Sequence, residues 1–219
     1  MRIHGYDRVL WDFNGTLLDD VALAVASNNI LLARRGLPPI PDEDAYRELF
    51  CFPVANYYRV LGLESEGEAF NRVAHEWMKE YRAGEKDAPL REGAPEALDF
   101  IRSAGIPQGI LSATEETQLE EQVSALGIRP YFDHLFGRED IYATDKSGIA
   151  ARYRAEHPQE RVLMIGDTVH DVETARAGDF SCALVAGGHQ SQARLAGAGV
   201  RIFPDYPSLI AYLSEGIEA

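Results

Sequence analysis

The chain alternates short uninterrupted apolar runs with longer stretches in which apolar positions recur at helical spacing. Apolar runs bounded by polar or glycine positions predict buried strands. We predict strands over residues 9–11, 107–111, 134–136, 161–165, 181–185 and 200–203. Beyond residue 90, we predict helices over residues 115–126, 146–156 and 207–213, with shorter ones near 95–101, 172–175 and 190–195. Strands that alternate with helices indicate a parallel sheet with right-handed crossovers.

A long stretch without strand signals separates the first strand from the second. Four helices are predicted there, over residues 21–35, 42–50, 54–61 and 66–82. Asp19 or Asp20 can cap the first of them, and Gly36 ends it. Residues 84–89 are polar and predict a linker back to the α/β pattern. The stretch is therefore a helical insertion in an otherwise α/β chain.

The overall composition narrows the range of partners. The 219 residues carry a formal net charge of −14, which argues against nucleic acid and anionic membrane surfaces because both attract a basic face. Cys51 and Cys182 are the only cysteines, so neither a cysteine metal site nor a disulfide framework is expected. The start of the chain is polar, and no apolar run approaches the ~20 residues of a membrane span. These features predict a soluble, cytoplasmic protein.

Three predicted strands end in polar residues, namely Asp12, Ser112 and Asp167. Because the carboxyl ends of parallel strands lie along one edge of a sheet, we expect these side chains to converge. Asp171 follows Asp167 by four positions, which places both carboxylates on one face if a helix starts there. Carboxylates with little nitrogen or sulfur nearby suit a hard cation, and the small cluster favours Mg²⁺ over Ca²⁺.

Each of these positions also has a purely structural interpretation. Thr168 and Asp171 have the spacing of a helix capping box, and so do Ser112 and Glu115. Lys146 falls in the first turn of a predicted helix, where a lone lysine is usually a solvated side chain. Taken one at a time, the residues leave both interpretations open.

The order of the motifs resembles the haloacid dehalogenase superfamily. An Asp-x-Asn-Gly-Thr-Leu strand end at Asp12 is followed by a helical insertion, a strand ending in Ser112, then Lys146, and an apolar strand ending in Gly-Asp-x-x-x-Asp at Asp167 and Asp171. The match covers nearly the whole chain and looks most similar to phosphoglycolate-phosphatase-like enzymes. It implies an α/β fold with a Rossmann-like, doubly wound parallel sheet core (residues 1–18 and 88–219) and an inserted all-helical cap domain (residues 19–87).

The resemblance also implies roles for the residues of the first and last motifs. Asp12 would be the nucleophile that becomes an aspartyl-phosphate. Asp12 and Asp167 would bind Mg²⁺ through their side chains, and Asn14 through its backbone carbonyl. Asp171 would support the metal directly or through another ligand. The expected substrate is a small phosphorylated metabolite, and the sequence leaves open whether the protein is a monomer or a dimer.

Further residues are implied to contact the phosphoryl group. Ser112 and the Ala113 N–H would bind phosphoryl oxygens, and Asn14 belongs to the same phosphate-binding set. Lys146 would neutralise both the nucleophile and the phosphate.

Asn14 departs from the pattern of the resembled phosphatases, which usually have Asp at this position to protonate the leaving alcohol and then activate water. An amide cannot act as a general acid or base, and that catalysis is typically worth about 10²–10⁴-fold. Asp19 and His170 are candidates for the missing proton transfer. The alternative is a catalytically weak phosphate-binding or sensor module that keeps the metal site without efficient turnover.

Overall fold

The computed structural model of the protein describes residues 2–138 and 146–218. Its strands are β1 (Arg2–Ile3), β2 (Arg8–Trp11), β3 (Gln108–Glu115), β4 (His134–Arg138), β5 (Val162–Gly166), β6 (Ser181–Val185), β7 (Arg201–Phe203) and β8 (Ile217–Glu218). Six of them form one parallel sheet in the order β4-β3-β2-β5-β6-β7. The predicted α/β class and parallel sheet are therefore confirmed.

Ten α-helices accompany the strands in the described part of the chain. They are α1 (Val21–Arg34), α2 (Glu43–Leu49), α3 (Val54–Leu61), α4 (Gly67–Gly84), α5 (Ala94–Ser103), α6 (Glu116–Ala125), α7 (Lys146–Glu156), α8 (Val169–Ala177), α9 (Gln192–Leu195) and α10 (Tyr206–Glu215). Most predicted boundaries agree with these bounds to within two or three residues. Within the described residues, no helix is both long enough and apolar enough to cross a bilayer.

The central strand β2 is buried on both faces, as the unbroken apolar sequence of its residues 9–11 requires. Val9 and Trp11 point to the face covered by α5, α6 and α10. Leu10 points to the opposite face, where α7 and α8 supply Ile149 and Ala175. Helices on both faces make the sheet doubly wound, and they leave its carboxyl edge as the place where the loops meet.

Helices α1 to α4 form a separate cluster, which we call the helical segment (residues 19–87). Its own apolar core includes Val21, Leu31, Tyr46, Tyr57 and Val73, all less than 6% exposed. The segment follows β2 and returns to the sheet through α5. An independent apolar core explains why four helices can be inserted without disturbing the sheet.

Three strands differ from the sequence expectation. Strand β3 extends beyond residue 111 to Glu115, with a shift of register against β4 after Leu111, so Ser112 lies within the strand and does not follow it. The antiparallel pair β1 and β8 was not predicted, because two-residue strands carry no periodic signal.

Candidate active site

The candidate site lies at the carboxyl edge of the central strands. Asp12 follows β2, and its backbone N–H donates to the carbonyl of Ile165 in β5 (2.8 Å). Asp167 follows β5 directly. Ser112 is buried on β3, the other neighbour of β2. The sheet therefore brings the three predicted strand-end residues to one edge.

Three buried carboxylates meet at this edge. Oxygens of Asp12, Asp167 and Asp171 lie within 4.8 Å of one another. Lys146 is also buried, and its Nζ contacts Asp12 Oδ1 and, at 2.5 Å, Asp171 Oδ1. The Thr16 hydroxyl lies 3.0 Å from Asp12 Oδ2 and 3.1 Å from Asp167 Oδ1, and donates to one of them at a time. Lys146 thus contacts two of the three carboxylates, and its single charge leaves the group of four side chains net negative when all three carboxylates are ionised.

The two carboxylates that share Lys146 differ in how well their charge is stabilised. Burial, reinforced by the charges of Asp171 and Asp167, raises the pKa of Asp12 to about 8 in spite of the lysine. Burial also opposes ionisation of Asp171, but Lys146 and hydrogen bonds from Thr168 hold its pKa below the ordinary value. The Thr168 N–H (2.9 Å) and hydroxyl (2.8 Å) both donate to Asp171 Oδ2. Asp12 is therefore the carboxylate whose charge still lacks a sufficient counter-charge.

Glycine backbone packs directly against Asp167. Gly15 has a φ of +72°, and a Cβ on it would lie 2.5 Å from Asp167 Oδ2 and 2.4 Å from His189 Cδ2. A Cβ on Gly188 would lie 2.2 Å from the same Asp167 oxygen. Arg91 Nη1 donates to the Gly15 carbonyl at 2.9 Å. The site thus needs glycine at position 15 for its left-handed backbone and for the close approach of Asp167.

We expect Gly15→Ala to lower the free energy of unfolding by about 3 kcal/mol and to disturb Asp167. Gly127→Ala is a matched control, because Gly127 has a φ of +73° and a Cβ added to it would meet no atom within 4 Å. The control should lose only the ~1–2 kcal/mol of left-handed strain. Urea denaturation of both variants measures the difference. Equal losses would contradict the crowding around Asp167.

Asp20, at the start of the helical segment, is buried against the turn that follows β2. It directly precedes α1, but its carboxylate makes no cap to that helix. Instead it accepts from the Gly15 N–H (2.8 Å), Asn14 Nδ2 (3.0 Å) and the Tyr81 hydroxyl (2.7 Å). Its Oδ1 also lies 3.1 Å from His189 Nε2. Burial opposes its ionisation, but the charge of His189 and these hydrogen bonds hold the pKa of Asp20 below the ordinary value.

His189 joins the carboxylates to the helical segment. Its Nδ1 lies 2.8 Å from the hydroxyl of Tyr46 in α2, and its backbone N–H donates to Asp167 Oδ2 at 2.6 Å. Burial alone would lower the pKa of His189, but the neighbouring charge of Asp20 raises it to about 9. The ring therefore supplies a second buried positive charge at neutral pH, beside that of Lys146.

The Asn14 amide is hydrogen-bonded through both of its polar atoms. Its Nδ2 donates to Asp20 Oδ2 (3.0 Å) and to the Tyr81 hydroxyl (2.8 Å). Its Oδ1 accepts from the Thr114 hydroxyl (3.1 Å). Asn14 thus links the turn after β2, the end of β3 and helix α4.

Three further predicted residues, Ala113, Asp19 and His170, differ in their exposure and in the groups that they contact. Ala113 is exposed next to Ser112, and its carbonyl accepts from Arg138 Nε at 2.6 Å. Asp19 is exposed, so the acidic side chain that reaches the site is its neighbour Asp20. His170 stacks on Phe52 with ring centroids 4.4 Å apart and has its Nδ1 3.2 Å from Glu173. Exposure of Asp19 and the stacking of His170 therefore favour neither residue for the proposed proton transfer.

Sequence reasoning missed Asp20 and His189 as members of the site. Local preference favours a helix cap at Asp20, and His189 is one of several lone histidines in the sequence. One available signal was that Gly187, Gly188 and His189 come soon after β6, another strand that ends at the same edge of the sheet. Applying the strand-end rule to that strand would have indicated this loop.

Two proteins of known name are similar to this chain over most of its length. A phosphoglycolate phosphatase of Chromobacterium violaceum is 23% identical over 198 residues, covering 86% of this chain and 88% of that protein. The tyrosine-protein kinase PtkA of Mycobacterium tuberculosis is 27% identical over 185 residues, covering 83% of this chain and 62% of that protein.

Solved structures share the fold. A predicted phosphatase from Clostridium acetobutylicum superposes with a TM-score of 0.78 at 19% identity, covering 96% of this chain and 99% of that one. The sequence profile of the family described as haloacid dehalogenase-like hydrolase matches residues 9–185. Since that profile spans most of the sequence, the chain belongs to the haloacid dehalogenase-like hydrolase family.

Proposed function

We propose that the protein is a Mg²⁺-dependent phosphatase of a small phosphorylated metabolite, acting through an aspartyl-phosphate on Asp12. The observation that carries this proposal is the buried group of three carboxylates, Asp12, Asp167 and Asp171, packed around Lys146. Membership of a hydrolase family supports bond cleavage by water. The similarity to a phosphoglycolate phosphatase supports a phosphate monoester as the substrate class.

The donor set fits a magnesium ion. Burial raises the pKa of both Asp12 and Asp167, and a divalent cation would offset that cost of ionising them. Oxygen ligands at close range are those that Mg²⁺ prefers. We propose the side chains of Asp12 and Asp167 and the backbone carbonyl of Asn14 as ligands, with Asp171 supporting them. When bound, the ion would polarise the phosphoryl oxygens and reduce their repulsion from Asp12.

The chain's own residues would then divide the reaction into two displacements. The carboxylate of Asp12 attacks phosphorus, the bond from phosphorus to the ester oxygen breaks, and water later cleaves the aspartyl-phosphate. Lys146 favours the ionised nucleophile and offsets the charge of the phosphoryl group. We assign the binding of the phosphoryl oxygens to the Ser112 hydroxyl, the Ala113 N–H and Asn14.

We further propose that the helical segment (residues 19–87) is a cap over the core formed by residues 1–18 and 88–219. Tyr46 contacts His189, Tyr81 accepts from Asn14 Nδ2, and Arg47 Nε donates to the Gly188 carbonyl at 3.0 Å. Asp12 is only 8% exposed beneath these contacts. We propose that these contacts open to admit the substrate to Asp12, and that their closure excludes water from the reaction.

Phosphate release from p-nitrophenyl phosphate tests the proposal. An aryl ester is suitable because its leaving group needs little acid assistance. We expect release in the presence of Mg²⁺, loss of release with excess chelator, and recovery when Mg²⁺ is restored. Phosphoglycolate and other small phosphorylated metabolites are then compared under the same conditions. Binding of Mg²⁺ and phosphate without any turnover would contradict the proposal and would favour a phosphate-binding module.

A further inference from the structure

We propose that the site selects phosphoryl donors whose leaving oxygen departs without receiving a proton. This class comprises aryl and enol phosphates, acyl phosphates and phosphoanhydrides, in preference to phosphate esters of alkyl alcohols. The inference rests on the proposed function and adds the chemical class of the leaving group. It is carried by the hydrogen-bond pattern around Asn14, between the turn after β2 and helix α4.

We place the leaving group on the side of the site that faces the helical segment. Asp12 follows β2 at the carboxyl edge of the sheet, and in-line displacement puts the leaving oxygen across phosphorus from the attacking carboxylate, away from that strand. Asn14, two residues after Asp12, reaches towards this side, because its Nδ2 contacts the hydroxyl of Tyr81 in α4. The groups that surround Asn14 are therefore those nearest to the departing oxygen.

Asn14 itself has no proton to transfer. Its amide is neutral, and its two N–H groups donate to Asp20 and Tyr81. Its carbonyl oxygen is held by the Thr114 hydroxyl, which fixes the orientation of the amide. The residue can support a bound group by position, but it cannot protonate a leaving alkoxide.

The nearest carboxylate does not replace the missing acid. Asp20 lies behind Asn14, 2% exposed, and accepts hydrogen bonds from Asn14, Gly15 and Tyr81. Its remaining contact is with His189, whose other ring nitrogen faces the Tyr46 hydroxyl. A carboxylate surrounded by donors has no proton to give. The pair therefore anchors Asn14 and the helical segment, with no direct path to the leaving oxygen.

The other polar groups near Asn14 already have hydrogen-bond or ion-pair partners. The Thr114 hydroxyl donates to Asn14, and the Tyr81 hydroxyl donates to Asp20. Lys146 is held between Asp12 and Asp171. Among residues 2–138 and 146–218, the structure thus shows no general acid placed against the leaving oxygen.

The two displacements balance without such an acid when the leaving group is a stable anion. In the first, an Asp12 oxygen bonds to phosphorus, and the bond to the leaving oxygen breaks with its electron pair, releasing a phenolate, enolate, carboxylate or phosphate. In the second, a water oxygen bonds to phosphorus and releases its proton to solvent, and the Asp12 carboxylate is restored. An alkyl alcohol is a far poorer leaving group, because its alkoxide is strongly basic and needs protonation in the transition state.

A leaving-group series tests this selectivity. The probes are aryl phosphates of increasingly basic phenols, acetyl phosphate and ethyl phosphate, assayed with Mg²⁺ for wild type and Asn14→Asp. We expect log kcat/KM of the wild type to fall steeply as the leaving group becomes more basic. Asn14→Asp should accelerate ethyl phosphate by about 10²–10⁴-fold and the most acidic phenol ester by less than about 10-fold, because only the former needs an acid.

Asn71→Asp makes the same chemical change at an exposed position of α4 and should leave the slope unchanged. A wild-type slope near zero, or ethyl phosphate turned over as fast as the aryl esters, would overturn the inference while leaving the proposed function intact. Folded wild-type protein that turns over none of the probes would overturn both. The dependence of wild-type log kcat/KM on leaving-group basicity tests the selectivity by itself, even if Asn14→Asp does not fold.

Discussion

Asp12→Asn is expected to abolish turnover and yet not to weaken the fold. Loss of the nucleophile should reduce kcat by at least about 10⁴-fold. Without metal, the same change removes a buried carboxylate whose charge the site stabilises poorly, and Lys146 keeps Asp171 as its partner. We therefore expect the unfolding temperature at pH 8 to rise by about 2–4 °C, the shift that ~1 kcal/mol gives in a chain of this size.

The sign of the stability effect follows from the pKa of Asp12. Burial raises it from an ordinary value of 3.8 to about 8 in the folded protein. The folded state thus binds more protons than the unfolded state between these values, and stability is lost as the pH rises through that window. Because asparagine does not ionise, the advantage of the variant should grow from pH 5 to pH 8.

Calorimetry without metal and initial-rate assays with Mg²⁺ measure the two effects. Asp87→Asn is the control. Asp87 is exposed, so its substitution should change neither the turnover nor the unfolding temperature. Retained turnover in Asp12→Asn would exclude Asp12 as the nucleophile. A large fall in its unfolding temperature would show instead that the carboxylate stabilises the fold.

Lys146→Met is expected to lower both the stability of the fold and the rate of turnover, whereas Asp12→Asn should lower turnover alone. The lysine is 3% exposed and contacts Asp12 and Asp171. Removing one member of a buried ion pair leaves charge without a partner and typically costs about 3–5 kcal/mol. We expect a loss of that order at pH 8 without metal, and a smaller loss at pH 6, where Asp12 can take up a proton. Turnover should fall by about 10²–10³-fold, as when one electrostatic contact to a transition state is lost.

Urea denaturation at both pH values measures this prediction, with Lys79→Met as the matched control. Lys79 is exposed on α4 and makes no part of the site. Added Mg²⁺ should restore part of the stability lost by Lys146→Met, because a cation among the carboxylates replaces some of the missing positive charge. Equal stability of the two variants would contradict the proposed charge balance.

The sheet and the carboxylates could be predicted because local sequence patterns encode them. Both β2 and β5 contain an unbroken apolar run that leads to an aspartate, and parallel topology then requires Asp12 and Asp167 to meet. The position of Lys146 at the start of α7 came from the helix predicted over residues 146–156, and its role came from the order of the motifs. Its burial between Asp12 and Asp171 is a tertiary fact that no local pattern gives.

The hydrogen bonds of Asp20 could not be predicted for the same physical reason. Asp20 has the sequence position of a helix cap, and local preference gives that interpretation. Tertiary hydrogen bonds from Gly15, Asn14 and Tyr81 instead take up its carboxylate. Tyr81 is 61 residues away from Asp20 along the chain, which lies far beyond any helical or strand period.

The most direct test of the central claim is to capture the proposed aspartyl-phosphate. Wild-type protein is mixed with acetyl phosphate and Mg²⁺, quenched rapidly in acid, and mapped by peptide mass spectrometry after borohydride reduction of the acyl-phosphate. We predict modification at Asp12 that requires Mg²⁺ and is absent from Asp12→Asn. Steady turnover with no modified aspartate, or modification at a different residue, would contradict Asp12 as the nucleophile.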